Sequence, residues 1–218
     1  DKDLGFKYKK MYFSLKTRIN SLMWNDETGF YHDLDEQENQ LSHKTIAGFW
    51  PLLAEIPNED KAEKLISHLS NPETFGTDHP FPTLSVDHPE FSNDGEGFKG
   101  SVYPVFNFMI IKGLEHYQRW DLARECCIRH LYYMLEAMFP GGSHTKGDLW
   151  EAYLPNKEGH ALMKDNPDFP KNRFIPTAGL STIALMIENI IGLEISLPRK
   201  TVDWVIPNLE IMGIENLS

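Results

Sequence analysis

Apolar residues recur along the chain at helical spacing, and the width of the apolar arc alternates from one segment to the next. Over the first segment Tyr8, Tyr12, Leu15, Ile19 and Leu22 fall at alternating steps of four and three, with Lys and Arg opposite. That spacing predicts a helix buried along one side only. Residues 45–56, TIAGFWPLLAEI, are apolar almost all round, as in a helix buried on more than one side. Asn58 then offers an N-cap to a short amphipathic helix carrying Ala62, Leu65, Ile66 and Leu69. The alternation repeats. Residues 102–117, VYPVFNFMIIKGLEHY, are broadly apolar, and 121–139 return to a one-sided pattern with Ile128, Leu131, Leu135 and Met138 on the buried face. The stretch from Ala178 to Ile191 is apolar and ends at Gly192, a favourable C-terminal cap.

Three outer and inner helix pairs follow from this pattern, and their connections are unequal. The inner-to-outer links are a few residues near Pro57 and Arg119. The outer-to-inner links run over 25–44, 70–101 and 140–176, far beyond the roughly 2 to 8 residues usual between helices. In an array of antiparallel hairpins alternate connections lie at the same end, so all three long loops are expected on one face. They hold most of the Gly, Pro and His residues, together with acids and aromatics. A face built this way resembles a binding funnel over a rigid helical scaffold.

Composition narrows the class of function. With 218 residues, 41% of them hydrophobic and 24% charged, the chain can bury a substantial core as one domain or one large piece of a domain. The formal net charge is -11 and the basic residues form no patch, which argues against nucleic acid as a partner. No stretch approaches the roughly 18 consecutive apolar residues needed to span a bilayer, and DKDLGFKYKK lacks the apolar run of a signal peptide. A soluble protein of either a cytoplasmic or a periplasmic or secreted compartment is expected, with no membrane partner. Cys126 and Cys127 are adjacent in a helical pattern that points their side chains about 100° apart, so they read as core or boundary thiols, not as a disulfide.

The candidate chemistry lies in HTKGDLWEAYLPNKEGHA (144–161), where Asp148 and Glu151 stand beside Trp150 and Tyr153. Sugar sites need this mixture. An aromatic face covers the apolar C–H surface of a pyranose, while a carboxylate accepts hydroxyl hydrogen bonds or activates water. From the residues alone, Glu151 reads either as a catalytic or ligand-binding acid or as a structural loop acid.

The ordered motifs MWNDETGFYHDLD (23–35), AGFWPLLAEI (47–56), HPFPTLSVDHPEF (79–91), GFKGSVYPVFNFMIIKGLEHY (97–117) and LWEAYLPNKEG (149–159) resemble glycoside hydrolase family 63. The resemblance extends to its mannosylglycerate hydrolase-like members and, more distantly, to trehalases, and it covers nearly the whole chain. It implies an all-α fold in which antiparallel helical hairpins form about half of an (α/α)6 toroid, with long loops and short strands on one face. Residues 1–218 would then be a single domain, the C-terminal part of the catalytic domain, with 193–218 as the exit segment toward a β-rich tail. The activity implied is inverting hydrolysis of α-glycosidic bonds, without a cofactor or metal, on an oligosaccharide or small α-glycoside. By its place in LWEAY, Glu151 corresponds to the general base that activates water. The acid of an inverting enzyme stands about 6.5–9.5 Å away across the scissile bond.

Two departures from the family pattern matter. Where relatives carry an aromatic residue, Trp-Arg-Gly, a hydrophobic residue, Trp-Pro and then Asn, this chain has Phe98, Lys99, Gly100, Val102, Tyr103, Pro104 and Asn107. Lys retains the positive charge and loses the planar bidentate fork of Arg. Lys99, Gly100, Tyr103 and Asn107 are nonetheless expected to bind substrate, along with Trp150, Tyr153 and Trp50, which with Phe49 precedes Pro51 at the start of an inner helix. Ordinary packing is the competing role for Lys99, Tyr103 and Trp50. The second departure is that the family's general acid, an Asp in a motif like Glu-Ser-Gly-Trp-Asp, is not found in these 218 residues, and the first helix matches the region after it. Half a toroid would leave apolar helix faces uncovered at about 25 cal/mol per Å2. An N-terminal half on another chain, self-association or collapse into a smaller bundle is expected to cover them.

Other signals carry less. The repeated Asp78-His79-Pro80 and Asp87-His88-Pro89, with His68, lack the tight spacing of a closed metal site, and the acidic run 33–40 lacks the Gly of a calcium loop. Asn216-Leu217-Ser218 fits a glycosylation pattern at the chain's end and decides nothing. A non-catalytic carbohydrate-binding or scaffolding role is the alternative function. A sugar epimerase on the same fold should pair catalytic histidines across its pocket, which the scattered histidines do not suggest.

Overall fold

The computed structural model describes residues 2–140, 147–172 and 175–205. Six α-helices carry the described chain: α1 (Lys2–Leu22), α2 (Trp50–Leu53), α3 (Glu59–Ser70), α4 (Pro104–His116), α5 (Trp120–Met138) and α6 (Pro176–Leu185). Two small antiparallel hairpins accompany them, β1 (Trp24–Asn25) with β2 (Phe30–Tyr31), and β3 (Leu193–Ser196) with β4 (Thr201–Trp204). This is an all-α chain shaped as part of a helical toroid. Helix α4 is central, packed on α2, α5 and α6.

Helix α3 forms as its sequence predicts. The Asn58 side chain accepts the Lys61 N–H at 3.1 Å, Glu59 and Asp60 favour the helix N-terminus, and Ala62, Leu65, Ile66 and Leu69 are the buried residues. Pro104 opens α4 at a position where no donor is lost. Gly113 allows α4 to close on α2, since a Cβ there would lie 2.8 Å from that of Leu52.

Four segments depart from the expected pattern. Residues 45–56 are not one inner helix but a 3-10 turn (Ile46–Phe49) followed by the single turn of α2. Pro51 has no N–H to donate and its ring crowds the carbonyl four residues back, which divides the segment. Helix α5 buries Ala123, Cys126, Cys127, His130, Leu131 and Met134; of the four residues expected inside, Ile128 and Leu135 are 47% and 53% exposed. Its small Ala and Cys side chains face the core, turning the buried arc by about one residue, or 100°. Both cysteines are free and buried, and burial pushes their thiols up to about 12. Helix α1 buries none of its residues and meets the core from its middle onward, where the Tyr12 hydroxyl donates to the Glu55 carbonyl at 3.0 Å and Asn20 to that of Ile56 at 3.0 Å. The apolar run after α6 widens into a π-helical turn (Met186–Ile191), held by Arg124 on the Asn189 carbonyl at 2.7 Å, before Gly192 closes it at φ 79.

The three long loops share a face because backbone bridges link them. Thr45 pairs with Leu84, and the Thr83 N–H reaches the Ser101 carbonyl at 2.9 Å. Val102 pairs with Tyr153, which in turn pairs with His160. This web crosses the end of the bundle where α4 begins.

Candidate active site

Glu151 is held to the far limb of its own loop by an exchange with Lys171 that uses both its backbone and its side chain. Its N–H donates to the Lys171 carbonyl at 2.9 Å, and its Oε2 accepts the Lys171 N–H at 3.2 Å. Beside this pairing Asn172 Nδ2 donates to Asp148 Oδ2 at 3.1 Å. The carboxylate is half-buried, and Oε1 has no bond in this exchange.

Trp150 lies flat on His160, with ring centroids 3.9 Å apart at 26°. The Trp150 N–H donates to the Tyr153 hydroxyl at 3.0 Å. Tyr153 itself is fully enclosed and exchanges both backbone hydrogen bonds with Val102 at 2.9 Å, so it acts as the strut beneath the Glu151 segment and offers no surface to a ligand here. Burial pushes its phenol upward.

Tyr103, the N-cap residue of α4, is at the centre of an aromatic cluster. It stacks on Phe98 at 5.4 Å and 14° and meets Phe106 at 5.3 Å and Phe169 at 6.4 Å. Phe106 extends the row to Trp50 at 6.0 Å. Phe98 and Trp50, 67% and 41% exposed, present its surface to solvent. Burial pushes the Tyr103 phenol up to about 12, opposed by the Ser101 hydroxyl and reinforced by the Glu151 carboxylate. Glu151 and the cluster therefore sit within electrostatic reach of one another.

The remaining predicted residues occupy other positions. Lys99 is exposed and pairs with Glu90 at 2.8 Å, a contact that holds its ammonium above the usual lysine range. Gly100, at φ 131, brings its backbone where a Cβ would lie 2.7 Å from the Ser92 carbonyl oxygen, and its N–H donates to the Thr83 hydroxyl at 3.1 Å. Asn107 is fully buried and donates to the Pro80 carbonyl at 3.0 Å, while its Oδ1 has no partner among the described residues. Asn107 thus fastens the 70–101 loop to α4, and Gly100 ties that loop to itself. Lys171, Asn172, His160 and Phe169 escaped sequence reasoning; the first two lie about twenty residues beyond their partners, and no local pattern marks them.

An open cleft of about 390 Å3 runs between this loop and α6, lined by Leu149, Asn172, Ile175, Pro176, Gly179, Leu180 and Ile183. It borders the Asp148–Asn172 contact, and Glu151 is not in its wall. In the 33–40 run, Asp35 accepts hydrogen bonds from Gln37 and Asn39, so its carboxylate closes its own turn. Among the described residues no group of three or more His, Cys, Asp or Glu could hold a metal ion. No described helix is long and apolar enough to cross a membrane. The Asn216-Leu217-Ser218 pattern lies outside the described residues.

The profile of the mannosylglycerate hydrolase MGH1-like glycoside hydrolase domain matches residues 1–161, and that of the trehalase C-terminal domain matches residues 192–218. An uncharacterized protein of Borreliella burgdorferi is 55% identical over 219 residues, covering 100% of this chain and 46% of that protein. The mannosylglycerate hydrolase of Thermus thermophilus is 31% identical over 97 residues, which is 44% of this chain and 23% of that one. Among solved structures, a GH63 mannosylglycerate hydrolase of Thermus thermophilus in complex with Tris superposes with a TM-score of 0.61 at 24% identity, over 77% of this chain and 36% of that one. The neutral trehalase Nth1 of Saccharomyces cerevisiae gives 0.62 at 18% identity, over 83% and 30%. The chain spans less than half the length of each of these proteins.

Proposed function

The chain belongs to the mannosylglycerate hydrolase MGH1-like glycoside hydrolase family, and from that premise we propose that it carries the base half of an inverting α-glycosidase site. The observation that carries this reading is the setting of Glu151. Its Oε2 is occupied by the Lys171 N–H, which orients the carboxylate and leaves Oε1 to accept a proton from water. The deprotonated water attacks the anomeric carbon from the face opposite the leaving group, and a second carboxyl group about 6.5–9.5 Å away protonates the leaving oxygen. That acid is contributed from outside these 218 residues. The reaction needs no cofactor.

The aromatic row from Trp50 to Phe98, together with Trp150 on His160, supports a sugar as substrate, since such faces pack on pyranose C–H surfaces. The names of the relatives, mannosylglycerate hydrolase and trehalase, agree with an oligosaccharide or small α-glycoside. Exposed apolar side chains on α1 (Leu4, Phe6, Phe13) and α6 (Leu180, Ile183) suit the remainder of the toroid as partner, in keeping with relatives more than twice as long.

In the complete protein, Glu151→Gln is expected to lower kcat by about 10^2 to 10^4-fold while leaving sugar binding by calorimetry intact. Wild-type turnover by the variant refutes the assignment. The pairing of Lys99 with Glu90, turned outward, favours a second reading in which the chain binds carbohydrate without hydrolysing it. Binding by the wild-type complete protein without turnover on a broad panel of α-glucosides and mannosides would select that reading.

A further inference from the structure

Two buried polar side chains that hydrolysis does not use, His79 and His130, meet at one joint. His79, in the 70–101 loop, and His130, midway along α5, are both fully enclosed, with His79 Nε2 2.7 Å from His130 Nδ1. The His79 ring stacks on Tyr133 at 5.2 Å and 14° and meets the edge of Tyr153 at 5.6 Å. Its main-chain N–H donates to the Pro155 carbonyl at 2.9 Å. Tyr153 and Pro155 follow Glu151 by two and four residues. One joint therefore fastens α5, the 70–101 loop and the Glu151 segment together. This pair is enclosed beneath the loops and does not face a pocket, so it differs from the paired histidines an epimerase would need.

At this separation one hydrogen lies between the two nitrogens, so one neutral ring donates and the other accepts. The outer nitrogens, His79 Nδ1 and His130 Nε2, have no hydrogen-bond partner among the described residues. A further proton on either ring is an uncompensated charge in an enclosed space. The titratable and charged groups around the pair are Cys126, Arg129 and Tyr133 on α5, Asp78 beside His79, and Tyr153 and Glu158 on the Glu151 segment. Arg129 donates to the Asp78 carbonyl at 3.1 Å, and its charge opposes a proton on His79. The Leu154 carbonyl favours one without meeting Nδ1 in hydrogen-bond geometry. Burial is the larger influence. It holds His79 well below the ordinary histidine value and His130 at about 3.

We propose that His79 and His130 are positioning residues for Glu151: as a neutral imidazole pair they lock the Glu151 segment and the 70–101 loop onto α5, and mild acid releases both. The lock stands on this geometry alone; its consequence for catalysis rests on Glu151 being the base. In the released state both rings return to about 6.5 and bind more protons than in the locked state. Locking is therefore complete above about pH 6.5 and weakens as pH falls below it, about tenfold per pH unit for each proton taken up.

The test is hydrogen exchange of the full chain between pH 7.5 and 5.5, corrected for intrinsic rates, read on residues 77–81 and 151–156 with 108–114 of α4 as control. Both segments are expected to lose about tenfold protection or more in acid while α4 holds. The H79Q/H130Q pair, able to hydrogen-bond without titrating, should abolish that pH dependence and, in the complete protein, move the acid limb of kcat to lower pH with KM unchanged. Equal pH dependence in the two proteins, or flat protection in the wild type, overturns the lock. Should the double variant not fold, imidazole NMR of the wild type decides, and rings titrating near pH 6.5 overturn it. Acid release with unaltered turnover overturns the positioning role. An error in the Glu151 assignment would show separately, as turnover retained by Glu151→Gln.

Discussion

Helix α1 is the longest regular element among the described residues and buries none of its 21 residues, whereas the irregular 70–101 loop encloses Phe75, Phe81 and His79 completely. The difference shows where order comes from in this protein. Phe75 stacks parallel to Phe30 at 5.7 Å and meets Phe49 edge-on at 4.8 Å, and the backbone around it is bridged to neighbouring loops. The helix has regular hydrogen bonds, and Tyr12 and Ile19 are its side chains packed against the core. Burial of side chains, and not regularity of backbone, fixes the loop face.

Substitutions on either side can break this comparison. Phe75→Ala removes a ring at the middle of the packed face and should cost about 3–5 kcal/mol in chemical denaturation. Tyr153→Phe keeps the shape and removes the acceptor for the Trp150 N–H, an expected loss of about 1–3 kcal/mol accompanied by faster exchange at the Trp150 amide. Phe6→Ser, at a side chain 73% exposed, should change the stability of the 218-residue chain by less than about 0.5 kcal/mol. In the complete protein the same change should cost more than about 1 kcal/mol if, as proposed, the remainder of the toroid covers the apolar face of α1. Equal effects of Phe75→Ala and Phe6→Ser in the short chain would erase the contrast.

The same contrast governs what the sequence could reveal. Helix α3 was legible in full, because its cap and its four buried residues lie within one twelve-residue period. Helix α5 was legible as a helix with core or boundary thiols, but its inward face runs through Cys126, Cys127 and His130, whereas the spacing of the larger apolar residues pointed to Ile128 and Leu135. The division of 45–56 turns on Pro51, whose effect was outweighed by the apolar run. At the site, Asp148, Glu151 and Trp150 stood out because aromatic and acidic residues are adjacent in the chain, and Tyr103 through the motif over 97–117 that resembles family 63. Their partners Lys171, Phe169 and Asn172 come from the returning limb of a long loop, chosen by backbone pairing that no local period encodes. The His79–His130 contact joins residues 51 positions apart, each of which reads alone as a solvated or core histidine.

The central claim is that Glu151 activates water for attack with inversion, and chemical rescue tests it most directly. Glu151→Ala in the complete protein should lose hydrolysis of an activated α-glycoside, and added azide should restore turnover by forming the β-glycosyl azide, read by NMR of the anomeric proton. Undiminished hydrolysis by the variant without azide, or an α-glycosyl azide as the rescued product, would contradict the assignment.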